Sequence, residues 1–143
     1  MFLAENWRRR NKFDEVKFVF PSAPSIPITI NMGMRMPGWY DILSLSDINQ
    51  RAEDETGIKR SIEYFHGLIR EEIDKGIPSN RIVIGGFSQG GSMSLVSGLT
   101  YPHKLGGVFG QFVGTMDYAR CWLTVPRAEL LASASKQNPR HDP

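Results

Sequence analysis

Ile58, Ile62, Phe65, Ile69 and Ile73 recur at spacings of four, three, four and four residues, with charged side chains between them. An α-helix turns once in about 3.6 residues, so this spacing draws one apolar stripe and predicts a helix over 53–75. Glu53 and Asp54 suit its positive N-terminal end, Lys75 suits its C-terminal end, and Gly76 is placed to stop it. Two runs follow a different pattern. Val16-Lys17-Phe18-Val19-Phe20, stopped by Pro21, and Arg81-Ile82-Val83-Ile84-Gly85 are β-branched and aromatic, and both read as strands. Three consecutive apolar residues in the second predict burial on both faces. Residues 89–99 read as a second helix with Met93, Val96 and Leu99 inward, and residues 105–113 as a third strand. Strand, helix, strand, helix, strand is the α/β alternation that builds a parallel sheet with helices on both faces.

Between these elements the pattern breaks. Pro21, Pro24, Pro27 and Pro37 crowd the stretch from Pro21 to Gly38, with Met32, Met34 and Met36 among them. That proline density predicts a loop with neither helix nor central strand, and its apolar content predicts that it packs over something. Pro78-Ser79-Asn80 is a turn. Near the start, Phe2, Leu3 and Trp7 fall along one side of a short helix, and Arg8-Arg9-Arg10-Asn11-Lys12 reads as its solvated end. After Gly114 the periodicity dissolves. Pro126 opens one short helical stretch over 124–131, and residues 136–143 read as a disordered end. The expected division is a partial domain over 1–114 and a divergent tail over 115–143.

Composition narrows the class of protein. The chain has 143 residues, 41% of them hydrophobic and 22% charged. That is one domain's length, too apolar for a disordered chain. Seventeen basic and 15 acidic residues leave a net charge of +2, too weak for an obligate nucleic-acid binder. No apolar run has the length of a membrane-spanning helix, and the first residues do not form a signal peptide. A single Cys excludes a disulfide framework and a Cys-rich zinc site. A reducing compartment, cytoplasmic or nuclear, is expected.

Gly86-Phe87-Ser88-Gln89-Gly90 fits G-x-S-x-G. The match is weak by itself, but a strand runs straight into it and a helix leaves it, which is the nucleophile-elbow arrangement. The flanking glycines let the chain turn sharply where a Cβ would collide. The turn exposes the Ser88 Oγ at the C-terminal edge of the sheet, near the positive end of the following helix. The backbone N–H of Gln89 then becomes one oxyanion donor.

The same residues carry a resemblance. Gly85-Gly86-Phe87-Ser88-Gln89-Gly90-Gly91 resembles the elbow of the acyl-protein thioesterases, the carboxylesterase and lysophospholipase-like α/β-hydrolases. The likeness extends to Phe20–Pro24, to Ile26–Asp41, to Glu53–Ile58 and to Gly76–Ile82, about residues 13–110 in all. It implies an α/β-hydrolase fold and a Ser–His–Asp triad that hydrolyses acyl thioesters and esters, typically removing palmitoyl groups from protein cysteines. It implies no metal or cofactor, acylated proteins or lipid esters as partners, and no stable membrane insertion. Met32, Met34, Met36 and Trp39 offer flexible, polarizable surface that fits either a border for an acyl chain or ordinary packing against the sheet edge.

It also implies gaps. The triad acid and base lie on loops after later strands, in the order Ser, Asp, His. After Ser88 the chain offers Asp117, Asp142, His103 and His141. His103 resembles a surface loop position, His141 falls in the tail, and His66 lies in the long helix, so neither base nor acid carries over. A strand ending in a second oxyanion donor precedes residue 1 in the family and lies between the Val16–Phe20 and Arg81–Gly85 strands. The expectation is an incomplete α/β-hydrolase, a truncated and marginally stable member with open strand edges. Two readings stand: an active serine hydrolase, or a catalytically dead remnant that keeps the elbow, either as a binding protein or as a non-functional truncation product. A nucleotide-binding domain is excluded, because neither G-x-G-x-x-G nor G-x-x-x-x-G-K-[ST] occurs.

Overall fold

The computed structural model describes residues 9–10, 13–44 and 53–111. The helix announced by the isoleucine stripe spans Glu55–Asp74 (α1). Asp54 caps it, its carboxylate accepting the Gly57 N–H at 2.9 Å. At the other end Gly76 takes φ 94°, the left-handed turn that stops the helix. The stripe is the core. Ile58 and Ile69 are buried, and Ile58 joins Tyr40, Met93 and Val96, with Trp39, Ile62 and Phe65 packed against them.

The proline-rich stretch is not irregular. Ser25–Ile28 (β1) and Met34–Pro37 (β2) form an antiparallel hairpin in the register Ile26–Met36 and Ile28–Met34. The prolines are tolerated because of that register. The Gly38 N–H donates to the Pro24 carbonyl at 3.0 Å, so alternate pairs from there are hydrogen-bonded. Pro27, opposite Arg35, and Pro37, opposite Ser25, fall on the other positions, whose nitrogens face outward. A short 3-10 turn over Thr29–Asn31 joins the strands. Asp41 holds it, its carboxylate accepting the Thr29 N–H at 2.7 Å and the Thr29 hydroxyl at 2.5 Å.

Val83–Phe87 (β3) and Gly107–Gln111 (β4) pair in parallel, joined through the helix Gln89–Thr100 (α2). This is the strand–helix–strand unit that the sequence predicts. α2 lies on the Ile84 and Val108 face, so close that a Cβ on Gly98 would overlap the Val108 side chain and crowd that of Ile84. On the opposite face Val83, Phe87 and Phe109 stay 58–59% exposed. The expectation that β3 is buried on both faces is therefore corrected: among the described residues, one helical layer covers this sheet. Leu99 is corrected too. It is 72% exposed, whereas Met93 and Val96 are buried as expected. Gly91 and Gly98 make the close approach to the sheet, which turns Leu99 away from it.

Val16–Phe20 does not form a strand: no ladder partner stands beside it among the described residues. The Phe18 and Phe20 rings still stack at 6.1 Å, two residues apart on one side of the chain. Lys17 ties the segment to α1 through Glu72 at 2.7 Å. The predicted helices near residue 7 and over 124–131, the tail over 115–143, and Phe112 and Val113 of the third strand lie outside the described residues.

Candidate active site

One residue separates the end of β3 from the start of α2, and it is Ser88. Reversing the chain there forces φ 52° and ψ −123°, a conformation with few populated neighbours for any residue bearing a Cβ. Backbone bonds on both sides enforce it. The Ser88 N–H donates to the Gln111 carbonyl at the end of β4 (2.8 Å), and the Ser88 carbonyl accepts the Ser92 N–H (3.1 Å), starting the helix. A Cβ on Gly86 would overlap the Gly90 carbonyl and stand 2.9 Å from the Gly91 nitrogen. The collision predicted for both flanking glycines holds at Gly86 only, since a Cβ on Gly90 would meet nothing within 4 Å.

The Ser88 hydroxyl makes no capping bond and is exposed. It borders a cavity of about 30 Å³, lined by Tyr40, Ile42, Leu43 and Ser44 on one side, by Glu53, and by Ser88 and Gln89. Such a volume holds about two water-sized groups. The backbone N–H of Gln89 opens α2, where no intrahelical acceptor is in reach. Its side chain does something the motif does not announce: Oε1 accepts the Trp39 N–H and Nε2 donates to the Tyr40 carbonyl, both at 2.8 Å.

Neither described histidine is near Ser88. His66 bonds the Ser97 carbonyl through Nε2 at 2.9 Å, and its ring meets Tyr101 at 5.0 Å. The exposed His103 stacks edge-on against the same tyrosine at 6.0 Å. Both therefore sit toward the C-terminal end of α2, His66 at Ser97 and His103 at Tyr101, about 14 Å or more along its axis from Ser88. Burial holds the His66 imidazole below its usual range, with the Ser97 bond opposing. His141, Asp117 and Asp142 lie outside the described residues. The three methionines named as an acyl border sit on the hairpin, Met32 at 89% exposure, and none lines the cavity. Trp39 packs on Phe65 at 4.7 Å and Tyr64 at 5.7 Å.

A parallel strand running into a serine of positive φ and directly on into a helix is the elbow of an α/β-hydrolase. The model of the Phospholipase/Carboxylesterase family matches residues 2–124, wider than the 13–110 over which motifs carry the likeness. The chain belongs to this family, as an incomplete α/β-hydrolase fold. It is 63% identical over 109 residues to acyl-protein thioesterase 1 of Gibberella zeae, covering 74% of this chain and 46% of that protein. It is 59% identical over 113 residues to acyl-protein thioesterase 1 of Emericella nidulans, covering 76% and 47%. Among solved structures, Arabidopsis thaliana SOBER1 superposes with a TM-score of 0.64 at 34% identity, over 76% of this chain and 52% of that one. Zea mays acyl-protein thioesterase 2 shares the fold, with a TM-score of 0.55 at 22% identity over 91% and 61%. The chain thus spans about half the length of the curated relatives it matches.

Proposed function

We infer that this chain carries the nucleophile of a serine hydrolase acting on acyl thioesters or carboxylic esters. One observation carries the reading: Ser88 is held at φ 52° between β3 and α2 with an uncapped, exposed hydroxyl. The Ser88 Oγ attacks the acyl carbon. The carbonyl oxygen gathers charge facing the Gln89 N–H, the C–S or C–O bond breaks, and the leaving group departs with a proton. Water then cleaves the acyl-serine ester, releasing the fatty acid and restoring Ser88. The names of the fungal relatives favour acylated protein cysteines as substrate, with lipid esters second. Among the described residues no helix is long and apolar enough to cross a membrane, which suits a cytoplasmic setting.

A second reading has its own observation. Both described histidines stand at the far end of α2, which favours an inert remnant that keeps the elbow without a base. A fluorophosphonate probe on the purified chain, with Ser88→Ala alongside, separates the two. Labelling abolished by Ser88→Ala supports the hydrolase, whereas its absence in a folded chain overturns it. The pH profile names the activation. A serine served by a histidine gives a rate that levels off above the imidazole pKa. An unassisted serine gives a rate rising about tenfold per pH unit, as the alkoxide fraction does.

A further inference from the structure

Besides Glu53, the cavity beside Ser88 is lined by two walls, and one side chain ties them together. The apolar wall is the segment after the hairpin, which contributes Tyr40, Ile42, Leu43 and Ser44. The reactive wall is the elbow, Ser88 and Gln89. Gln89 pairs with the wall segment as another peptide group would, accepting from Trp39 N–H and donating to Tyr40 C=O at 2.8 Å each. Neither bond depends on what the side chains of residues 39 and 40 are, so the amide fixes the backbone itself. The rest of the segment is anchored from its far side. The Ser61 hydroxyl donates to the Trp39 carbonyl at 2.5 Å, and Asp54 accepts the Asp41 N–H at 2.9 Å. Those bonds hold the wall to α1, and only Gln89 among these side chains spans from it to the nucleophile.

We propose that the Gln89 side chain is the positioning residue that sets the gap between the Ser88 hydroxyl and the apolar wall, and thereby selects among acyl groups by length. The inference rests on the serine-hydrolase reading. Its backbone N–H serves the oxyanion whatever the side chain does, so replacing the side chain separates the two roles. A short acyl group reaches only the elbow. A long one must also lie along the Ile42 and Leu43 wall, and it alone senses where that wall stands.

The test uses the full chain with two fluorophosphonates, one with an ethyl and one with a dodecyl group, on the unmodified protein, Gln89→Ala and Gln89→Glu. Gln89→Glu keeps the length and the acceptor for Trp39 N–H, but faces Tyr40 C=O with an acceptor. Hydrogen exchange of the Trp39 amide is read in parallel by nuclear magnetic resonance. The expected result is a dodecyl-to-ethyl rate ratio lowered about tenfold in both variants, with Trp39 amide exchange about tenfold faster in Gln89→Ala. General destabilisation lowers both rates together and leaves the ratio alone. A ratio unchanged within about twofold in either folded variant overturns the proposal. Retained Trp39 protection in Gln89→Ala overturns the clamp while leaving the hydrolase reading intact. Failure of the unmodified chain to label overturns the hydrolase reading and the selection with it, whatever the exchange data show.

Discussion

Replacing Ser88 by glycine should make the protein more stable while removing the hydroxyl proposed as its nucleophile. At φ 52° and ψ −123° Ser88 lies outside even the small left-handed region that L-residues visit. Holding a residue with a Cβ there costs about 1–3 kcal/mol. Glycine adopts the mirror-image extended region freely, but loses about 0.4–1 kcal/mol through the larger entropy of its unfolded chain. No capping bond is forfeited, since the hydroxyl makes none. The net gain is about 1–2 kcal/mol. In a chain of this length that raises Tm by about 3–8 °C, and it moves the urea midpoint upward at constant slope. Ser88→Ala keeps the Cβ and therefore the strain, so its midpoint should stay near that of the unmodified chain. Urea titrations followed by far-ultraviolet circular dichroism measure both variants against the parent. A Ser88→Gly midpoint no higher than that of Ser88→Ala would show that the turn stores no strain, and the reasoning fails.

Four further outcomes follow from the same contacts. Gly86→Ala should cost at least about 2 kcal/mol, because its Cβ overlaps the Gly90 carbonyl, which cannot give way; Gly90→Ala, with open space, should gain about 0.5–1 kcal/mol from helix propensity in the same urea titration. Asp54→Ala loses the cap on Gly57 N–H and the acceptor for Asp41 N–H, so thermal unfolding should report a loss of about 1–2 kcal/mol. Burial lowers the His66 pKa, so below the unfolded value of 6.5 the unfolded chain binds the proton more readily. Stability should accordingly fall as pH drops through 6.5 toward the folded value, and His66→Gln should flatten that slope in urea midpoints taken from pH 7.5 to 5.

What was legible in the sequence is what is decided locally. The 4-3-4-4 isoleucine stripe, Asp54 before it and Gly76 after it specify α1 within about 20 residues, and the structure has it at Glu55–Asp74. The elbow is nearly as local, since the Ser88 carbonyl meets the Ser92 N–H and Gly86 backs onto Gly90, and only the Ser88 N–H reaches further, to Gln111. The hairpin escaped because a proline's fitness for a strand depends on which register positions face outward, and the partner strand decides that. Val16–Phe20 was misread for the converse reason: β-branched residues suit a strand, but only a neighbour makes one. Leu99 misled because helix-on-sheet contact here runs through Gly91 and Gly98, where an apolar stripe shows nothing. In Gln89 the motif gave a variable position, and its amide acquires meaning only when Trp39 arrives from 50 residues away.

The site divides along the same line. Presenting the serine takes β3, the turn and α2, with β4 bonding the turn through Gln111, and all four lie within residues 83–111. Activating that serine takes a base from elsewhere in the fold, and the two described histidines are committed to Tyr101 and Ser97 at the wrong end of α2. Serine hydrolases deprived of a triad member retain about 10³–10⁴-fold of their advantage over water through oxyanion donors and binding. The slope of Ser88 labelling against pH then reports whether a base reaches the hydroxyl, and it does so without reference to how fast the labelling is.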